Sequence, residues 1–138
     1  MIQTGTGDLI LSAANGINNT TGLISSNAAN LTIASNGAAS SAINNSNGRI
    51  EAAGTGALTV ATTGTLTNTG ADAVILSNNS ANVTAGAGIT NTNGASIQAA
   101  SLAISTPTLN NNGGTLVQTG EANQTITLTG EVSNVEGV

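Results

Sequence analysis

The 138-residue chain contains no cysteine, histidine, phenylalanine, tyrosine or tryptophan, and it has a single proline and a single basic residue, Arg49. Each absence removes a class of function. Without His or Cys, the usual zinc, haem and iron–sulfur ligand sets cannot be assembled. A Ser-His-Asp triad, a cysteine nucleophile and a histidine general base are excluded too. No cofactor, metal or catalytic residue is therefore expected, and the chain reads as a non-enzyme. One cation and no aromatic ring leave nothing to neutralise phosphates or to stack on bases, which argues against nucleic-acid binding. The lack of cysteine rules out disulfides and leaves the redox compartment open. No run of 18 apolar residues is present, so no transmembrane helix is expected. The start, Met1-Ile2-Gln3-Thr4-Gly5, lacks the basic and apolar regions of a signal peptide, so any export signal lies outside these residues. Aromatics bury the most area per residue, so without them the core must be thin and built from Ile, Leu, Val and Ala.

What is present is equally biased. Thr (22), Asn (20) and Gly (18) fill 60 of the 138 positions, while Leu, Ile and Val supply 30. The net charge is −5, with no acidic run. Composition of this kind also suits a low-complexity, disordered tract. Periodicity argues for a fold instead. An aliphatic residue, any residue and then Asn recur six times: Ile17-Asn18-Asn19, Ile43-Asn44-Asn45, Leu66-Thr67-Asn68, Ile89-Thr90-Asn91, Leu109-Asn110-Asn111 and Val132-Ser133-Asn134. A glycine follows each Asn by two or three positions, at Gly22, Gly48, Gly70, Gly94, Gly114 and Gly137. The spacings between the aliphatic anchors are 26, 23, 23, 20 and 23, a mean of 23.

A second anchor precedes each copy as a short alternating run: Leu9-Ile10-Leu11, Leu31-Thr32-Ile33, Leu58-Thr59-Val60, Val83-Thr84-Ala85, Leu102-Ala103-Ile104 and Ile126-Thr127-Leu128. A third follows the glycine, as at Leu23-Ile24, Ile50, Val74-Ile75-Leu76, Ile97 and Leu116-Val117. Each unit thus holds three short β-type segments between Gly/Asn/Ser/Thr turns. Helix is disfavoured by the Gly, Asn and Thr content and by the lack of a 3.6-residue stripe. The pattern predicts an all-β chain, a single domain over residues 1–138, folded as a parallel β-helix (β-solenoid) of about six coils with three short strands each. One coil cannot bury its inward side chains alone; stacking coils creates a continuous aliphatic column. The recurrent Asn19, Asn45, Asn68, Asn91, Asn111 and Asn134 are expected to stack as an amide ladder, each side chain donating to the one in the next coil. The glycine after each is expected to supply a positive φ at the corner. The competing fold is a β-sandwich built on the Asn-Gly hairpin signals at Asn15-Gly16, Asn36-Gly37, Asn47-Gly48 and Asn93-Gly94.

These units resemble the repeats of filamentous haemagglutinin-type adhesins of the two-partner secretion route, whose pattern is L-x-I…G-x-L-x-N-x-x-G-x-I. Leu102-Ala103-Ile104 followed by Leu109-Asn110-Asn111-Asn112-Gly113-Gly114-Thr115-Leu116 carries it, and Ile89-Thr90-Asn91-Thr92-Asn93-Gly94-Ala95-Ser96-Ile97 carries its later half. The resemblance extends over all six units. It implies a right-handed parallel β-helix, a role as the shaft of an extracellular or cell-surface adhesin, and a host receptor or glycan as a further partner. The units are somewhat longer than the commonest repeats of that family. The 138 residues hold no counterpart of its amino-terminal secretion domain, so the secretion route stays open.

The coil phase suggests one more partner. Asn134-Val135-Glu136-Gly137-Val138 continued by Met1-Ile2-Gln3-Thr4-Gly5 of another copy repeats the register of Asn111 to Gly120. Head-to-tail stacking of copies would satisfy open strand edges and give a filament. A segment of a longer solenoid, with neighbouring repeats as the partner, fits the register equally well. At about 4.8 Å per coil, six coils extend roughly 29 Å.

Other features are weaker. The Gly-x-Gly fragments at Gly5, Gly54 and Gly86 complete no phosphate-binding motif and read as turns. Gly5-Thr6-Gly7-Asp8 faintly resembles a calcium-binding turn but occurs once. Glu51 and Asp72 both follow a turn glycine in adjacent units, a spacing that would set them one strand apart as a carboxylate pair. Arg49 and Glu51 share a strand face as an exposed ion pair. An outward Thr32, Thr59, Thr84, Thr127 column, broken by Ala103, raises an alternative function: ligand binding, to ice or glycan, by the outer face. Asn30, Asn82 and Asn123 begin Asn-x-Thr sequons, as this composition would produce by chance.

Overall fold

The structure, a computed structural model, describes residues 1–27, 29–37 and 41–138. The first coil holds β1 (Ile2–Gln3), β2 (Leu9–Ala13) and β3 (Ile17–Asn18), and the second β4 (Leu23–Ser26), β5 (Leu31–Ser35) and β6 (Ile43–Asn44). The third holds β7 (Arg49–Ala52), β8 (Leu58–Thr62) and β9 (Thr65–Thr69). The fourth and fifth have two strands each, β10 (Val74–Ala85) with β11 (Gly88–Thr92), then β12 (Ser96–Thr106) with β13 (Leu109–Asn110). The sixth closes with β14 (Thr115–Gln118), β15 (Thr125–Leu128) and β16 (Val132–Ser133). Among the described residues every pairing is parallel and joins a strand to its equivalent one coil away. The chain is an all-β solenoid of about six coils. A sandwich would need antiparallel hairpins. Asn15-Gly16 instead turns a corner within the first coil, and Asn47-Gly48 and Asn93-Gly94 lead from one coil into the next.

The third face is a six-stranded sheet in the order β16-β13-β11-β9-β6-β3. The first two faces merge into one ten-stranded sheet because β10 and β12 run through the corner between them. Coils 1, 3 and 6 place glycine at that corner (Gly5 and Gly7, Gly54 and Gly56, Gly120), whereas coils 4 and 5 cross it with Ser77-Asn78-Asn79-Ser80 and Ala100-Ser101. Lack of glycine does not by itself carry the strand through, since β4 ends at Ser26 and β5 starts at Leu31 with no glycine between them. Asn78 and Asn79 also donate to the carbonyls of Ala53 and Thr55 in the coil below, at 2.6 and 2.7 Å, and so tie the two corners together.

Alternation along each strand sends every second side chain inward. Four aliphatic columns result: Ile24, Ile50, Ile75 and Ile97; Leu31, Leu58, Ala81 and Leu102; Ile33, Val60, Val83 and Ile104; and Ile43, Leu66, Ile89 and Leu109. All are buried. Two runs sit two residues away from the alignment expected from sequence. Ala81, rather than Val83, stacks on Leu58, so Val83 lies opposite Val60; Ile126 lies opposite Ile104, not Leu102. A two-residue slip leaves inward residues inward, so the apolar pattern cannot detect it.

The core also encloses polar positions. Ser26 lies opposite Ala52, which lies opposite Ser77, then Ala99. The Ser77 hydroxyl donates to the Ser80 carbonyl at 3.0 Å, but the Ser26 hydroxyl is buried with no partner. An unpartnered buried hydroxyl costs about 1–3 kcal/mol, and alanine already fills this column in two other coils. Ser26→Ala is expected to raise stability by about 1 kcal/mol, read as a higher urea midpoint at unchanged slope. A lower midpoint would show that the hydroxyl has a partner.

Candidate functional site

The six repeated asparagines form a single hydrogen-bonded ladder parallel to the column. Nδ2 of Asn19 donates to Oδ1 of Asn45 at 2.7 Å, Asn45 to Asn68 at 2.8 Å, Asn68 to Asn91 at 2.7 Å, Asn91 to Asn111 at 2.7 Å and Asn111 to Asn134 at 2.7 Å. Every rung points the same way, from first coil to last. The amide orientation is fixed because the same nitrogens also donate to backbone carbonyls. Those of the next coil are Arg49, Val74, Ser96, Thr115 and Val138, at 3.0–3.3 Å. Asn45, Asn68, Asn91 and Asn111 are almost wholly buried. Charge-neutral amides are suited to this: each offers a donor upward and an acceptor downward, so an unlimited stack leaves no orphan except at its ends.

The turn glycines act differently from the sequence expectation. Only Gly70 and Gly94 have positive φ, +100° and +84°. In the other four turns the left-handed residue is the one before the glycine: Thr21 (53°), Asn47 (49°), Gly113 (63°) and Glu136 (54°). Asn93 (60°) is left-handed before Gly94 as well. Gly22, Gly48, Gly114 and Gly137 are needed for space. A Cβ there would come within 2.3–2.7 Å of the ladder Oδ1 of their own turn, at Asn19, Asn45, Asn111 and Asn134. At Gly48 and Gly114 it would also meet the carbonyl oxygen of the ladder residue one coil below, at 2.1 and 2.0 Å. The glycine is the hole through which the ladder passes.

The proposed carboxylate pair does not form. Glu51 lies opposite Leu76, and Asp72 is exposed in the turn before β10. The side chain of Glu51 turns to Arg49, whose Nε and Nη2 donate to its two oxygens at 2.9 and 3.1 Å. This is the one salt bridge among the described residues. The hydrogen bond from Arg49 holds the Glu51 carboxyl below its ordinary range, partial burial works against it, and the Arg49 guanidinium is raised in turn. A carboxyl with a lowered folded-state pKa adds stability above its unfolded value, and that stability disappears as pH falls through the folded value. Relative to Glu51→Gln, the wild type is expected to lose a small increment, under about 1 kcal/mol for so exposed a pair, on acidification below about pH 4. Urea midpoints at neutral and acid pH measure it; parallel curves for the two proteins would refute it.

The outward threonines do not form one column. Thr32 and Thr59 align with Asn82, Ala103 and Thr125, while Thr84 and Thr127 belong to the neighbouring column with Ala34, Ala61 and Ser105. Both columns are short-chained and uncharged, but neither is a continuous threonine array.

Beside the Ser26 hydroxyl, the Ser35 hydroxyl is buried without a partner, and the first and last coils are less fully covered than those between them. At the first coil Leu9, Leu11 and Ile17 are only partly covered, and no described group donates to Asn19 Oδ1. At the last coil Asn134 Nδ2 donates only to its own turn, to the Gly137 carbonyl at 3.3 Å. A hollow of about 260 Å³ opens there among Leu116, Ile126, Val132, Asn134 and Val138. Val132 and Val138 are 60% and 78% exposed. The ladder residues, each donating to the next coil, and the register of the third face were legible in the sequence; the backbone carbonyls that share each amide nitrogen were not. Comparison of the chain with family models, with curated proteins and with solved structures gave no match.

Proposed function

We propose that this chain is a structural element of an extracellular or cell-surface fibre, a stiff β-solenoid shaft of the adhesin type whose work is mechanical. The observation that carries this reading is the unbroken axial continuity of ladder, aliphatic columns and parallel strands. From the second coil to the fifth, each coil is held to the next by about the same set of backbone bonds, one buried amide bond and four apolar contacts. Such a stack behaves as a one-dimensional cooperative array. Extension under load would have to break many bonds of one coil together. The outer surface has one ion pair among the described residues and short uncharged columns, which suits a spacer. The adhesin grammar of the repeats supports the surface location, and a host receptor or glycan would be engaged by other parts of such a fibre.

Immunogold labelling of intact cells that encode the chain, with antibodies raised against the purified 138 residues, tests the reading. Label on surface fibres is the expected result. Label found only after the cells are opened would overturn it.

A further inference from the structure

The first lateral face carries a surface unlike the other two. It is built from β1, β4, β7, the opening residues of β10 and β12, and β14. In the strands of coils 2 to 6, outward Leu, Ile or Val occur only there, at Leu23, Val74, Leu76 and Val117. Outward positions of the second face hold Thr, Ala, Ser and Asn, and those of the third hold Asn, Thr and Ser. The single cation of the chain, Arg49, stands among these aliphatics, with Leu23 on one side and Val74 on the other. We propose that this face is a lateral interface on which a second copy of the chain docks side by side, pointing the same way along the solenoid axis. Such pairing lies beyond the shaft reading and is centred on coils 3 and 4.

Two outward columns run up the face, two residues apart on each strand and so about 7 Å apart. One reads Arg49, Val74, Ser96; the other reads Glu51, Leu76, Gln98. Coil 3 thus offers a cation beside an anion, coil 4 two aliphatics and coil 5 two neutral polar side chains. A two-fold axis parallel to the solenoid axis sets each column of one copy against the other column of its partner. Arg49 then meets the partner's Glu51, and Val74 meets the partner's Leu76, each contact made twice. The surface is therefore self-complementary, as an isologous contact requires. Reversing one copy sets each column against itself. Centred on coil 3, that arrangement opposes Arg49 to Arg49 and Glu51 to Glu51; centred between coils 3 and 4, it presses both ions onto Val74 and Leu76. A parallel contact slipped by one coil does the latter too.

The ion pair is equipped for a second partner. Arg49 spends one N–H of Nε and one of Nη2 on its own Glu51, so of its five donors three remain. Its side chain is 41% exposed, within reach of another carboxylate. Two such pairs face to face make a ring of alternating charge in which every ion has two counter-charges. On the next coil Val74 and Leu76 are half-buried, and Leu23, one coil before Arg49, is exposed; docking covers all three. The net charge of −5 on each copy opposes approach. Salt at about 0.15 M screens that repulsion beyond roughly 8 Å and spares the opposed ions at the centre. One strand's width is small for an interface, so the pair is weak, with a dissociation constant on the order of 100 µM.

Sedimentation equilibrium of the purified 138-residue chain from about 10 to about 500 µM tests this, with circular dichroism of every variant. A reversible dimer is expected. Arg49→Glu and Glu51→Arg, each alone, set like charges against each other and should weaken it about tenfold or more. Mixed in equal amounts, they should form a heterodimer at least as tight as the wild-type pair, because every facing pair is again opposite in sign. Ala103→Glu, exposed on the second face, should leave the dimer as it is. The chain has no cysteine, so introduced thiols report the orientation. Under mild oxidation, Val74→Cys mixed with Leu76→Cys should cross-link between the variants faster than within either. Where a charge variant loses its β-sheet spectrum, the cysteine pair decides. Four outcomes would overturn the proposal: a wild type monomeric over the whole range, a mixture of the charge variants no more associated than each alone, loss of the dimer with Ala103→Glu, or faster cross-linking within Val74→Cys than between the variants. A monomeric wild type leaves the shaft reading standing, since a single solenoid bears load by itself.

Discussion

Replacing Asn68 by alanine is expected to be among the most damaging single changes in the chain. Asn68 lies in the middle of the ladder, fully buried. It accepts from Asn45 at 2.8 Å and donates to Asn91 at 2.7 Å and to the Ser96 carbonyl at 3.0 Å. Removal leaves the Asn91 oxygen without its donor inside the core and takes the ladder acceptor from Asn45. The expected loss is about 3 kcal/mol, since orphaned buried polar groups cost about 1–3 kcal/mol each. For a chain of this size that lowers the unfolding temperature by on the order of 10 °C. Asn134→Ala, at the exposed end of the ladder, should cost under about 1 kcal/mol. A melt of Asn68→Ala that matches the wild type would refute the ladder as a stabilising element. Asn68→Asp adds a signature that a size effect cannot mimic. Ionised, it presents only acceptors to Asn91; protonated, it regains a donor. Burial raises its folded-state pKa, so its stability should be greatest below the ordinary carboxylate value near 4 and be lost as pH rises.

Gly48→Ala is expected to be at least as severe, and for a different reason. The glycine is not left-handed, so a methyl group meets no conformational penalty there. It meets atoms: the Asn19 carbonyl oxygen at 2.1 Å, the Asn45 Oδ1 at 2.6 Å and the Asn19 Nδ2 at 3.0 Å. The first is backbone of the coil below, held in a parallel ladder. The methyl can be housed only by prising two coils apart at the rung, and overpacking of rigid surroundings costs about 3 kcal/mol or more. Gly94→Ala provides the contrast. Its φ of +84° opposes any side chain, yet the nearest atom to its Cβ is the Ala71 Cα at 3.2 Å. It should be strained by about 1–2 kcal/mol without disturbing the ladder. Denaturant midpoints of the two variants separate steric from conformational cause; equal losses would mean that the amide passage is not what requires glycine.

These two sites also show what could be read from the residues. The asparagine–glycine pairing was visible because both recur once per coil at fixed distance from an aliphatic anchor. The reason for the glycine was not visible, since a spatial hole and a left-handed corner leave the same letter in the chain. The backbone resolves it by assigning positive φ mostly to the preceding Thr21, Asn47, Asn93, Gly113 and Glu136.

The same division holds for the whole molecule. The linear order of residues by itself determined the architecture: absent aromatics impose a thin interior, and a repeat near 23 residues with three alternating segments admits few arrangements besides stacked coils. The third face came out in the expected register, from Ile17 to Val132, because an asparagine marks each copy. Only the tertiary structure decided the alignment of Val83 and Ile126, the merging of two faces through β10 and β12, the separation of Glu51 from Asp72, and the steric reason for the turn glycines. Alternation has a period of two residues, so it fixes which side a residue faces but not which neighbour it meets. A glycine letter likewise does not say whether it supplies a positive φ or an absent Cβ until its neighbours in the next coil are in place.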